Sequence, residues 1–361
     1  MSSNFPLNVF SKFNHQKKVK EYSPIDGQAP NKELTQALIF GNNAPIVSSG
    51  RIASAQALSG TGSLRVAGDF IKTYLPDSKA IYLPDPSWGN HKAIFTKAGL
   101  EVKTYPYWDA EQKNLNFAGM LQGIQSAPRG SIILLHSVAH NPTGIDPTTD
   151  QWKQVVEACK RGGLIPMIDN AYQGFASGCL DKDAAATRMF GDSGMEFFIC
   201  QSFAKNMGLY GERVGMLHVV CSDKDIAAKV LSQLKLVIRP MYSSPPIHGA
   251  QLVNRILGDA TLRSKWAGEV KGMADRINDM RGKLRSAIEK MGTPGQWNHI
   301  TDQIGMFSFT GLSKNQCELL IDKWHIYLLK NGRISMAGVR TKIIIKFKIS
   351  KRKLSIKQNV Y

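Results

Sequence analysis

Between residues 50 and 220 short apolar runs of strand length alternate with amphipathic stretches, which limits the chain to an α/β fold with a βαβ pattern and a largely parallel sheet. The runs are AIYLP, SIILLH, LIPMID, FFICQS and VGMLHVV. Several end in residues capable of chemistry: His136 after one, Asp169 after the next, and Ser202 with Lys205 after the fourth. Ligand sites in open α/β sheets lie at the carboxyl ends of strands, so the chemistry is expected there.

From Trp266 onward, Val270, Met273, Ile277, Met280, Leu284, Ile288 and Met291 recur every three or four residues, the pattern of one long amphipathic helix. Its methionines are read as core packing. Beyond it, GMFSFTG and HIYLL are read as strands flanking a short helix around Glu318–Lys323, a smaller domain hinged by the long helix. The 361 residues and 43% hydrophobic content suffice for a large core with such a companion.

The net charge of +18 raises the question of a nucleic-acid partner, and its distribution answers against one. Residues 1–20 hold four lysines and residues 340–361 eight Lys/Arg, with no acid in either, so only +6 remains on the other 319 residues. That balance suits small anions and gives no Arg/aromatic stripe to follow a phosphate backbone. The acid-free first 20 residues faintly suggest an organelle transit peptide, against which stands a disordered terminus. The tail TKIIIKFKISKRKLSIKQ reads as an edge strand, a surface-binding arm or a splice artefact. Five widely spaced cysteines with no C-x-x-C pair read as reduced intracellular thiols, and no metal-ligand spacing is expected. No apolar run approaches the roughly 20 residues that span a bilayer.

In SFAKNMGLYGERVG, Lys205 stands three residues after Ser202 and eight before Arg213, just past a buried strand. A partly desolvated lysine there has its pKa lowered and can form a Schiff base with an aldehyde cofactor. A pyridine ring used as an electron sink needs a carboxylate at its nitrogen and donors at its phenolic oxygen, and Asp169, Tyr172 and Asn141 are of those types. LSGTGSLR opens a helix with small residues, so Ser59, Gly60 and Thr61 can cradle a phosphate. Taken singly, each segment would pass as an ordinary turn.

Together SGTGSLR, SWGNH, AHNPTGIDP, DNAYQGFASG, QSFAKNMGLYGERVG, RPMYSSPPIHGA, WNHITDQIGMFSFTGL and GRISMAG resemble, in order and spacing over residues 21–339, the aspartate aminotransferases. These are fold-type I pyridoxal-phosphate enzymes. The resemblance implies an α/β large domain, with a mostly parallel seven-stranded sheet flanked by helices, over residues 21–270. A small α/β domain, incomplete at its end, would occupy 271–339, between an atypical terminus at 1–20 and a basic tail at 340–361.

The resemblance also implies roles. Lys205 would carry pyridoxal 5'-phosphate and move the proton at the substrate Cα. Asp169 would pair with the ring nitrogen, supported by His91; Tyr172 and Asn141 would contact the ring oxygen; Trp88 would stack on the ring. Ser59, Gly60, Thr61, Ser202 and Arg213 would hold the phosphate, with Tyr22 of a second subunit. Arg333, with Trp88 and Asn141 beside it, and Arg239, donated across a homodimer interface, would grip the two carboxylates of a dicarboxylic amino acid or 2-oxo acid. The motif wording, AKNMGLYGERVG with RPMYS, points to the mitochondrial matrix rather than the cytoplasm. Against this pattern, the first 21 residues look unrelated and the final small-domain helix is replaced. Those departures predict weak cofactor binding and little turnover, and leave a silent cofactor-binding remnant, an aromatic aminotransferase and a basic adaptor as rival readings.

Overall fold

The computed structural model describes residues 21–78 and 80–340; the readings of residues 1–20 and of the tail from 341 lie outside the described residues. Helix α1 (Ala29–Phe40) leads to strand β1 (Ile52–Leu58) and α2 (Ser59–Tyr74). β2 (Ala80–Asp85), α3 (Asn90–Lys97) and β3 (Glu101–Pro106) follow, then a small hairpin of β4 (Trp108–Asp109) and β5 (Asn114–Leu115). The middle of the chain holds α4 (Phe117–Gln125), β6 (Ile132–His136), α5 (Thr149–Gly162), β7 (Ile165–Asn170), α6 (Ala185–Asp192), β8 (Phe197–Ser202) and β9 (Val214–Val220). After it come α7 (Lys224–Met241), α8 (Ile247–Leu257) and α9 (Ala260–Glu289), and then β10 (Phe307–Phe309), α10 (Lys314–Trp324) and β11 (Arg333–Ser335).

Seven strands form one sheet in the order β1-β9-β8-β7-β6-β2-β3. β9 runs antiparallel to both of its neighbours, and the other pairs are parallel. All five expected runs are strands, and β1 and β3 complete the sheet. Period-two geometry divides each strand between two cores. Ile132, Leu134, Met167 and Phe198 face a layer built on α2, α3 and α7, while Ile133, Leu135, Ile168 and Ile199 face one built on α1, α4, α5 and α6. With both faces covered, the strands can be apolar along their whole length.

The long helix α9 begins six residues before Trp266 and ends before Met291. Its side chains change company along its length. Trp266 and Val270 pack with Phe203, Met207 and Val253, whereas Ile277, Met280, Leu284 and Ile288 pack with Ile300, Leu320, Ile334 and Met336. That second cluster also takes in Ala139, Ala171 and Tyr172 from the ends of the sheet strands, so it sits directly over the edge where the chemistry was expected.

One reading of this region is corrected. HIYLL is not a strand: α10 ends with His325 in the left-handed region (φ +50), and residues 326–329 run on without a ladder partner, Tyr327 remaining 74% exposed. β10 pairs instead with β11, Phe309 opposite Arg333. The helix read around Glu318–Lys323 spans Lys314–Trp324, started by a capping box in which Ser313 and Gln316 satisfy each other's backbone N–H groups.

Among the described residues Arg281 is the largest fully buried side chain, and it forms no ion pair with a carboxylate there. Its guanidinium donates to the carbonyls of Ile300 (2.9 Å), Gly305 (3.0 Å) and Phe307, lashing α9 to the segment before β10. Burial lowers its pKa to about 10, which still leaves it charged at neutral pH.

Gly215 is where the sheet tolerates no side chain. A Cβ there would lie 2.4 Å from the Gln201 carbonyl oxygen and 2.8 Å from Ser59 Cα. Gly268, on the exposed side of α9, has open space around it. Gly215→Ala should therefore destabilise by about 2–3 kcal/mol through overpacking. Gly268→Ala should stabilise by about 0.5–1 kcal/mol through helix propensity. Urea denaturation of both variants checks the contrast in sign.

Candidate active site

The reversed strand decides which groups can meet. β1 and β8 both run antiparallel to β9, so they point the same way as β7 and β6, and all four end at one edge of the sheet. β9 starts from that same edge, immediately after Arg213. Ser59, His136, Asp169, Ser202 and Arg213 are thereby brought together around a cleft of about 220 Å³, and Lys205 and Tyr172 enter it from the connections that follow their strands.

One end of the cleft is built for an anion. α2 starts at Ser59 with no side-chain cap and no acid in its first turn, leaving its first N–H groups and their dipole available. Gly60 and Thr61 line the cleft at that helix start. Ser59 Oγ lies 2.8 Å from Ser202 Oγ. Ser59 (φ +62) and Arg213 (φ +48) are non-glycine residues in the left-handed region, a conformation retained where surrounding contacts over-determine it, often at ligand clamps.

The other end is built around Asp169. Its Oδ2 accepts from His91 Nε2 at 3.1 Å, and His91 Nδ1 accepts from Ser87 Oγ at 2.8 Å, so its partners assign the proton to Nε2. Burial opposes the Asp169 charge, but the His91 hydrogen bond and the nearby His91, His136 and Lys205 outweigh it and hold the carboxyl below the usual carboxylate range. His136 accepts the Asn141 backbone N–H on Nδ1 at 3.1 Å, which puts its own proton on Nε2. That buried N–H has no partner among the described residues, and burial lowers the His136 pKa to about 3, so the ring is neutral. His91, His136 and Asp169 are also the one group among the described residues whose ligand atoms lie within 4.8 Å of each other as a metal site would require. His91 and Asp169 already spend theirs on one another.

Between the two ends stands Lys205, its Nζ 5.3 Å from the centroid of the Tyr172 ring. Burial lowers its amine pKa; Asp169 works against that and Arg213 adds to it. Asn141 links two groups at the rim, its Nδ2 donating to Tyr172 Oη at 3.4 Å and its Oδ1 accepting from Arg333 Nη1 at 2.7 Å. The Arg333 guanidinium lies 4.2 Å over the Phe307 ring. Trp88 lines the cleft edge-on to His91.

Ten of the residues given a site role from sequence therefore line the cleft, and His91 and Arg333 are hydrogen-bonded to them. Two are not brought there. Tyr22 is 84% exposed, and Arg239 is turned to Ser243 Oγ at 2.6 Å; neither lines the cleft of this chain. Sequence reasoning gave no role to His136 or Tyr210, which do line it. Both stood in segments already singled out, at the end of SIILLH and within GLYGERVG.

An uncapped helix start with hydroxyls and a guanidinium, an ionised carboxylate at the far end, a suppressed amine between them and a spare imidazole N–H together fit pyridoxal phosphate, a basic aromatic ring bearing an aldehyde and a phosphate. The family model described as Aminotransferase class I and II matches residues 6–344. The chain belongs to that family. The match reaches beyond the 21–339 marked by the motifs and includes residues that had looked unrelated. The chain is 52% identical over 331 residues to the cytoplasmic aspartate aminotransferase of Oryza sativa subsp. japonica, covering 92% of this chain and 81% of that one. It is 51% identical over 321 residues to the mitochondrial enzyme of Dictyostelium discoideum, covering 89% and 75%. Among solved structures, a mitochondrial aspartate aminotransferase from Trypanosoma brucei superposes with a TM-score of 0.91 at 43% identity, over 92% of this chain and 88% of that one. An aromatic-amino-acid aminotransferase from Burkholderia pseudomallei, covalently bound to pyridoxal phosphate, gives 0.91 at 40%, over 96% and 85%.

The opposed influences on Lys205 can be separated. In cofactor-free protein, Arg213→Gln removes a like charge and should raise the Lys205 pKa, while Asp169→Asn removes an opposite charge and should lower it. The pH dependence of Lys205 acetylation, followed by mass spectrometry, reads both; shifts in the same direction would contradict the arrangement.

Proposed function

We propose that this chain is an aspartate aminotransferase, transferring an amino group reversibly between L-aspartate and 2-oxoglutarate to give oxaloacetate and L-glutamate, with pyridoxal 5'-phosphate as cofactor. The observation that carries this reading is the Lys205 amine, suppressed by burial and Arg213, in one cleft with an ionised Asp169 and with Asn141, which holds Arg333.

Ser59, Gly60, Thr61, Ser202 and Arg213 would hold the cofactor's phosphate, and Lys205 would hold the group covalently until substrate displaces it. When bound, pyridoxal phosphate supplies an electron sink for the bonds at the substrate's α-carbon. Asp169, kept charged by His91, would retain the proton on the ring nitrogen. Tyr172 and Asn141 would donate to the ring oxygen, and Trp88 would cover the ring face. Lys205 would take the proton from the substrate Cα as a general base, a task its lowered pKa favours because more of the amine is neutral at working pH. Arg333, its planar fork set by Asn141 and Phe307, would grip the α-carboxylate. Arg239 and Tyr22, exposed and away from this chain's cleft, would serve the cleft of a second copy, which makes a homodimer the working unit.

A coupled assay tests the reading: aspartate and 2-oxoglutarate are supplied and oxaloacetate is followed through malate dehydrogenase. Turnover should favour aspartate over phenylalanine and tyrosine, and Lys205→Ala should lower it by roughly 10²–10⁴-fold. A preference for aromatic substrates would support the aromatic reading, whose specific observation is the similarity to solved aromatic-amino-acid aminotransferases. A protein that binds cofactor without turnover would support the silent one. The compartment we propose is the mitochondrial matrix, on the motif wording alone, since relatives named cytoplasmic, chloroplastic and mitochondrial match about equally well. The native protein should co-fractionate with matrix markers; recovery with cytosolic ones would refute this.

A further inference from the structure

Asn141 depends on a turn of unusual geometry. Ala139, two residues before it, has φ +53, a conformation L residues other than Asn and Asp rarely adopt. The turn is pressed from one side by the segment before β10: Ile304 N–H donates to Gly144 O at 2.6 Å, and Gly305 comes so near that a Cβ on it would lie 2.3 Å from Ala139 Cβ. Within the turn the His140 ring is stacked between Tyr107, at 3.9 Å, and His136, at 4.2 Å.

What holds the turn from behind is Asp146. Its two carboxylate oxygens accept two successive backbone N–H groups, Oδ2 from Ala139 at 2.6 Å and Oδ1 from His140 at 2.9 Å. We propose that Asp146 is a positioning residue for substrate binding, fixing the Ala139–Asn141 turn so that Asn141 can orient Arg333 on one side and Tyr172 on the other. This deepens the aminotransferase reading and rests on it for the identity of the substrate.

The choice of a carboxylate is what makes the role specific. Burial works against its charge, the backbone N–H groups offset part of that, and the neighbouring Asp183 repels it, leaving the pKa raised to about 6. A group raised in this way contributes stability only at low pH, and that contribution is lost as pH rises towards 6, so at neutral pH the ionised form is a burden on the fold. An amide would avoid that burden, but it has one acceptor oxygen and would turn an NH2 against the second N–H. The two acceptors are what a turn with two adjacent N–H groups requires.

The test uses Asp146→Asn and Asp146→Ala in the full chain loaded with pyridoxal phosphate, with calorimetric binding of maleate, an unreactive dicarboxylate, beside KM for aspartate and cofactor retention. Loss of one buried N–H acceptor should raise the maleate Kd and the KM about tenfold in Asp146→Asn, and further in Asp146→Ala, with cofactor retention changed less than about twofold. Unchanged maleate binding in Asp146→Asn and Asp146→Ala overturns the proposal, as does a parallel loss of maleate and cofactor affinity, which marks a merely structural residue. If Asp146→Ala fails to fold, Asp146→Asn decides. A parent chain that binds maleate without transaminating sinks the aspartate aminotransferase reading, yet the variants still test Asp146; a parent that binds no maleate overturns the proposal as well.

Discussion

The hydrogen bond from His91 to Asp169 joins a charge to a place where a charge is costly. Asp169 ends a strand that is apolar on both faces, and an isolated carboxylate there would protonate. The imidazole prevents this, and it can do so because Ser87 fixes its tautomer and because α3, which carries His91, is packed on the sheet through Ile94 and Phe95. The rest of the site takes its sense from that ionised group. Lys205 feels it as attraction, His136 stays neutral despite its pull because burial outweighs it, and a basic ring nitrogen would find in it the partner that keeps a proton in place.

A second balance operates at Lys205. Burial and Arg213 push its proton off; Asp169 holds it on. The same arginine lines the end of the cleft suited to an anion, so a phosphate held there would neutralise it and relax the pressure on the amine. The two ends of the cleft are therefore electrostatically linked through the lysine between them, at distances where the low-polarity surroundings leave charges poorly screened.

How much of this could be read from the chain depended on whether a residue's neighbours were local. The five apolar runs identified the sheet, and the residues at their ends identified the cleft, because strand, turn and site residue follow one another directly in sequence. β1 escaped notice because its run, IASAQAL, is diluted by serine, alanine and glutamine, and β3 because an edge strand exposes most of EVKTYP. Arg281 looked like one more polar position on an amphipathic helix; its burial depends on carbonyls about 20 residues further on, which no local pattern announces. Asp146 stood inside a quoted motif, AHNPTGIDP, yet its work is done backwards on the turn preceding it, which only the folded chain makes visible. The placing of HIYLL as a strand failed for a related reason: alternating side chains do not make a strand without a partner, and the partner of β10 lay further along.

The reversal of β9 has a bearing on how such a protein can vary. Had β9 continued parallel to β8, the chain would have needed a crossover helix to return, and Arg213 would have been free to sit at any sequence distance from Lys205. Because the direction flips, the chain makes its way from Ser202 to Val214 along the very rim of the cleft, and no slack element separates Lys205 from Arg213. Added or deleted residues in that stretch would have nowhere to loop out without displacing one of the two. Surface connections elsewhere in the molecule can drift in length; this one is metrically locked.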